Sequence, residues 1–220
     1  CFYSTTVHGD QETLTKFVEA ITLDGDRSTY DLTLLSPIPE ELQIASVFFR
    51  RDGDDDPEYQ ELLKKYEANE AKYGHRDWVD WCIENWGTKW EITTDEAYID
   101  TSKNEIRVSF ATAWSPPTGI FDKLVDQGYG VNALYYEGGC AFCGQYVDGS
   151  DETYGTDGNW QDVKNNIPES IDLEFGITNS MMEYRADELT QEIEELEETL
   201  KEKDDAELSA QLIAKKKELE

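Results

Sequence analysis

Four groups of side chains in this sequence could do chemistry. The first is aromatic: Trp78, Trp81, Trp86, Trp90 and Trp114 crowd one part of the chain. Rings of this size bury roughly 150–250 Å² each. Two roles are open to them, core packing or a flat platform for a planar ligand. A platform for nucleic acid needs a basic groove around it, and Arg76 and Lys89 stand nearly alone here. Lys89, inside Trp86-Gly87-Thr88-Lys89-Trp90, is placed to lie over an indole face as a cation–π contact.

The second group is Cys140-x-x-Cys143, half of a zinc knuckle. A matching second pair is missing, since only Cys1, Cys82, His8 and His75 remain as ligands. The cysteine spacing does not read as the disulfide framework of a secreted domain, so packed, reduced thiols are expected. The third group would serve catalysis. No G-x-S-x-G, P-loop, HExxH or GxGxxG pattern occurs. A non-enzymatic protein without cofactor or metal is therefore expected. Asp52, Asp54, Asp55, Asp56 and Glu58 do not meet the spacing of a calcium loop, which needs a fixed glycine and a distal glutamate.

The fourth group is the carboxylates themselves. Asp and Glu total 49 against 19 Lys and Arg, a formal charge of -30. Such a chain is repelled by nucleic acid and anionic lipid and drawn to basic surfaces. A protein of this mass exposes roughly 10,000 Å², or about one net charge per 340 Å². Duplex DNA carries about one per 110 Å² of its cylinder. The average surface is thus about threefold too dilute to pass for DNA, and a mimic must gather its acids on one face. Asp52, Asp54, Asp55 and Asp56 in one loop, with Asp148, Asp151 and Glu152 in another, are the expected partner-binding residues. Asp24, Asp26, Glu40 and Glu41 could extend the same face. Residues 183–220 hold 14 acidic and 6 basic residues, so the body keeps most of the excess.

These groups need elements to hold them. Residues 1–8 read as a strand. Asp10 caps a helix over 11–21, with Leu14, Phe17, Val18 and Ile21 on one stripe. Tyr30, Leu32 and Leu34 alternate as a second strand, ended at Pro37. Residues 36–104 read as an insertion with a helix over 57–73, headed by Asp56 and Pro57, and another over 76–86 that stops at Gly87. A strand over 106–110 and a helix between Ser115-Pro116 and Gly128 follow. Two strands, 131–137 and 141–147, are joined across Gly138-Gly139. The polar stretch 148–169 reads as a loop, and Ile171, Leu173, Phe175 and Ile177 as a last strand by their period of two. The expected organisation is an α+β domain over 1–180 and an acidic helical segment over 183–220. There Leu189, Ile193, Leu196 and Leu200 form a coiled-coil-like seam. Its phase slips near Asp204-Asp205, which predicts either one helix with a stutter or a second helix folding back. Homo-oligomerisation through this seam is the alternative function to acidic binding. No apolar run approaches the roughly 18 residues of a membrane span, and no leader is visible, so a cytoplasmic protein without a membrane role is expected.

The string Asp80-Trp81-Cys82-Ile83-Glu84-Asn85-Trp86-Gly87-Thr88-Lys89-Trp90, followed by Phe110-Ala111-Thr112-Ala113-Trp114-Ser115-Pro116-Pro117, resembles the YubB-type ferredoxin-like proteins of phages and conjugative plasmids. Cys1-Phe2-Tyr3-Ser4-Thr5-Thr6, Tyr136-Glu137-Gly138-Gly139 and Phe142-Cys143-Gly144 are similar too. The resemblance covers roughly residues 1–147. It implies a ferredoxin-like α+β sandwich and an origin on a mobile element, hence a bacterial host cytoplasm. It implies no activity. Joined to the charge, it predicts a phage-type inhibitor that meets a basic host nucleic-acid-binding or defence protein as a DNA mimic does, without binding nucleic acid itself. The acidic loop at 52–56 and the tail after 183 depart from the family pattern.

Overall fold

The computed structural model describes residues 1–23, 30–46, 56–94, 97–100, 103–202 and 205–219. It is a mixed α+β protein whose chain divides into two compact units, Cys1–Tyr154 and Gly155–Glu220. The division falls earlier than the change of composition after residue 183.

The first unit opens with β1 (Phe2–His8) and α1 (Gln11–Ile21). The Asp10 carboxylate accepts from Thr13 N at 2.8 Å and so caps α1. Then come β2 (Tyr30–Asp31), two short 3-10 turns (Leu32–Leu35 and Glu40–Leu42), α2 (Pro57–Tyr73) and α3 (Trp78–Trp86). They are followed by β3 (Thr93–Thr94), β4 (Ala97–Asp100), β5 (Glu105–Ala111) and α4 (Thr118–Asp126). The run ends with β6 (Gly130–Glu137), β7 (Phe142–Val147) and β8 (Ser150–Gly155).

Six strands form one sheet in the order β4-β5-β1-β6-β7-β8, while β2 pairs with β3 apart from it. β1 is antiparallel to both neighbours, and its alternate residues build one core face in three rows. Tyr3 sits between Phe110 and Tyr135, Thr5 between Val108 and Ala133, and Val7 between Ile106 and Val131. Tyr3 stacks on Phe110 with centroids 4.8 Å apart. The same buried core takes Leu14, Phe17 and Ile21 from α1 and Ile120, Phe121 and Leu124 from α4. Thr5 is the exception in these rows, since its buried hydroxyl has no hydrogen-bond partner among the described residues.

The second unit is helical: α5 (Trp160–Asn166), α6 (Glu169–Phe175), α7 (Ile177–Glu202) and α8 (Ala206–Leu219). α7 packs against the other three. Among the described residues no helix is long and apolar enough to cross a membrane.

Four expectations need correction. The strand through Leu32 and Leu34 stops at Asp31, because the Asp31 carboxylate takes hydrogen bonds from Thr33 N and Thr33 Oγ1 and turns the backbone. Such local side-chain bonding competes with a ladder. The loop over 148–169 contains β8 and α5. Asp148-Gly149 form the hairpin turn, both at positive φ (47° and 96°), as a two-residue turn matching the strand twist requires. The strand over 171–177 is instead α6, the left-handed Gly176 (φ 61°) and the start of α7. Ile171 and Ile177 are buried but Leu173 is 77% exposed. A helix of seven residues is too short for its period to show, whereas Pro168 and Gly176 at its ends mark it. Of the two readings of the tail, the second helix is the one found. Asp205 caps α8, its carboxylate accepting from Glu207 N at 2.9 Å. Asp204 lies outside the described residues. Residues 36–104, read as an insertion, include β4, which is the edge of the main sheet.

Candidate functional site

The two tryptophan motifs, far apart in sequence, are clasped together in the first unit. α3 begins at the fully buried Asp77, whose carboxylate accepts from Val79 N at 2.8 Å. It ends at Gly87 in the left-handed region (φ 85°), with Gly87 N–H returning to Ile83 O. A Cβ on Gly87 would lie 2.5 Å from the Pro116 carbonyl oxygen, and one on Gly119 would lie 2.4 Å from Asn85 O. Only glycine allows α4 and its lead-in to approach this closely. The Ser115 hydroxyl donates to Gly87 O at 2.6 Å, and the Thr88 hydroxyl donates to Ala113 O at 3.3 Å. Trp86 is fully buried and its indole N–H donates to Ser36 O at 2.7 Å. Trp81 meets it edge-on at 5.8 Å. So Trp81 and Trp86 are core residues.

Trp90 and Trp114 are not. They are 55% and 61% exposed, with centroids 6.2 Å apart. Trp114 sits at φ 61°, and Ser115 N–H closes onto Ala113 O around it in a γ-type turn. A bulky residue held there stores about 1–3 kcal/mol, and such strain concentrates at functional sites. The Lys89 ammonium lies 4.1 Å from the Trp114 centroid and 5.0 Å from that of Trp90. Among the described residues it has no carboxylate partner.

Beside this pair opens a cavity of about 760 Å³, walled by Trp78, Trp86, Trp90, Ile38 and Leu34, with Asp31, Glu91 and Lys89 as its charged groups. Asp31 is 7% exposed. Both of its hydrogen bonds, from Thr33, fall on Oδ1, and it has no cation partner among the described residues.

The residues expected to bind a partner have several placements. Asp24, Asp26, Asp52, Asp54 and Asp55 lie outside the described residues. Asp56 heads α2, its carboxylate accepting from Glu58 N at 3.0 Å. Asp148, Asp151 and Glu152 come together on the β7–β8 hairpin. Asp148 accepts from Val131 N at 2.8 Å. Asp151 accepts from the Tyr135 hydroxyl at 2.7 Å, and burial raises the pKa of that hydroxyl, keeping it a donor. Glu152 accepts from Gln145 Nε2 at 2.8 Å and the Tyr154 hydroxyl at 2.9 Å. These bonds hold its pKa below the usual carboxylate value. None of the three pairs with Lys or Arg among the described residues.

The seam lies within the second unit. Leu189 and Ile193 are buried and Leu196 and Leu200 half-buried. α8 folds back along α7 and joins it by Arg185–Glu218 (2.9 Å), Lys215–Glu192 (2.6 Å) and Lys216–Glu197 (2.6 Å). Of the cysteines, Cys82 and Cys143 are buried and Cys140 exposed. Burial, then the charge of Asp77, pushes the Cys82 thiol up to about 12. His75 Nε2 stands 3.2 Å from Glu84, and His8 is exposed on β1. Among the described residues no three His, Cys, Asp or Glu gather as a metal site. Compared with known protein families, with curated proteins and with solved structures, the chain matches none.

The junction of the two tryptophan motifs was legible as residues, not as a site. Asp31 was missed, since one aspartate beside a threonine gives no signal in a chain this acidic.

Proposed function

We propose that this chain is a non-enzymatic acidic binding protein that engages a basic protein, in the manner of a DNA mimic. One observation carries the reading. Asp148, Asp151 and Glu152 are fixed by amide and hydroxyl donors and not by cations. Neutral donors hold a carboxylate in place without cancelling its charge, so the hairpin offers pre-set negative points to lysines and arginines on a partner.

The body is read as ferredoxin-like. The run β1-α1-β4-β5-α4-β6, with sheet order β4-β5-β1-β6 and antiparallel neighbours, supports that architecture. The β2, α2, α3 and β3 segment is inserted within it, and β7 and β8 are added beyond it. The likeness of the tryptophan motifs to YubB-type proteins supports an origin on a phage or plasmid. A host nucleic-acid-binding or defence protein in the bacterial cytoplasm is then the partner class.

Competition tests the reading. A labelled DNA duplex held by a basic bacterial DNA-binding protein is titrated with this chain at low salt. Micromolar chain is expected to release the duplex, and the release to fade as salt approaches 0.5 M and screening shortens to a few ångströms. No release from any of several basic proteins at low salt overturns the proposal.

A further inference from the structure

We propose that the cavity beside Trp90 receives an arginine side chain from the basic partner, with Asp31 as its counter-ion. The inference rests on the acidic-binding reading and gives that partner a specific anchor.

Charge is the first argument. A carboxylate nine-tenths buried is costly unless a cation or several hydrogen bonds offset it. Among the described residues Asp31 has Thr33 alone, on one oxygen, and Glu91 in the same wall has no cation partner there either. The cation in the wall is Lys89, and it is drawn off. Its ammonium is closer to Trp114 (4.1 Å), which is not part of the wall, than to Trp90 (5.0 Å), which is. Two carboxylates against one diverted ammonium make the cavity a place for a cation and a poor one for an anion.

Shape is the second argument. About half of the wall is indole and aliphatic, from Trp78, Trp86, Trp90, Leu34, Ile38 and Ile44, and the rest is polar, including Thr33, Gln43 and Thr93 beside the charged groups. A guanidinium is planar and weakly hydrated. It stacks on indole faces while its fork meets a carboxylate, and its three-carbon stem suits an apolar passage. An ammonium has neither the plane nor the fork.

The probes are N-acetyl-arginine amide and its neutral near-isostere, N-acetyl-citrulline amide, titrated into the full chain. Binding is read from tryptophan emission and indole N–H NMR signals. The arginine compound is expected to saturate and the citrulline compound to bind at least about tenfold more weakly. Asp31→Asn keeps the turn, because asparagine accepts the same Thr33 bonds, and is expected to lower arginine affinity by about tenfold. Lys89→Met removes the competing ammonium and is expected to keep or raise affinity. No saturation by the arginine compound, equal binding of citrulline, or indifference to Asp31→Asn in a folded variant overturns the inference. Duplex release by the chain distinguishes the two proposals. If release persists while the arginine compound fails, the acidic-binding reading stands without the anchor. If the arginine compound binds but release fails, the cavity is a cation site and the wider reading falls.

Discussion

Lys215 and Lys216 on the C-terminal hairpin each reach a glutamate, whereas Lys89 in the body reaches two indoles. The same contrast holds for acids. Glu192, Glu197 and Glu218 are matched by cations, while Asp31, Asp151 and Glu152 are held by neutral donors. In the hairpin, these pairs bridge two antiparallel helices and add little beyond solubility. The body has matched pairs too, such as Lys72–Glu41 and Arg76–Glu70, but it sets Asp31, Asp151 and Glu152 against neutral donors that leave their charge uncompensated. On the proposed function, recognition falls to the body and a structural role to the hairpin.

The comparison can be broken in several ways, the largest effect first. Trp86→Ala removes the buried ring that ties α3 to Ser36 and is expected to cost about 3–5 kcal/mol in chemical denaturation. A smaller loss would mean the junction is not a rigid core. Gly87→Ala places a Cβ against Pro116 at a left-handed position and is expected to cost at least about 1–3 kcal/mol. Thr5→Val replaces an unpartnered buried hydroxyl by a methyl and is expected to stabilise by about 1 kcal/mol, seen as a raised Tm. Glu41 is held at about 2 by Lys72, with a further hydrogen bond from Tyr73. Its contribution is therefore present above the ordinary value of 4.5 and lost as pH falls toward 2. Glu41→Gln should lower Tm slightly at pH 7 and not at all at pH 2. Arg185→Gln, which breaks an exposed pair of the hairpin, should shift Tm least, and less still in high salt.

How much could be read beforehand follows the length of each signal. α1 has an apolar stripe and an aspartate cap and α2 an aspartate cap before proline, and their bounds were legible from Asp10, Asp56 and Pro57. β5 was legible from the alternation of Ile106, Val108 and Phe110, β1 from its β-branched and aromatic residues, and β6 from the Gly138-Gly139 turn that follows it. α6 was not, because seven residues cannot separate a period of 3.6 from one of 2. β8 was not, because an edge strand of Ser150, Asp151, Glu152 and Thr153 has no apolar alternation. Its solvent-facing carboxylates fit the way edges resist aggregation. The turn at Asp148-Gly149 carried the overlooked signal. Of the candidate site, the tryptophan motifs and Lys89 were visible, yet their meeting depends on Gly87, Gly119 and a left-handed Trp114, which only the folded chain reveals.

The most direct measurement compares two variants of equal net charge in the duplex-release assay. Asp151→Asn/Glu152→Gln neutralises the β7–β8 hairpin, and Glu194→Gln/Glu195→Gln neutralises exposed acids of α7. The body variant is expected to lose several-fold more potency than the helix variant. Equal losses would show that only total charge matters, and that the body's uncompensated carboxylates have no special role.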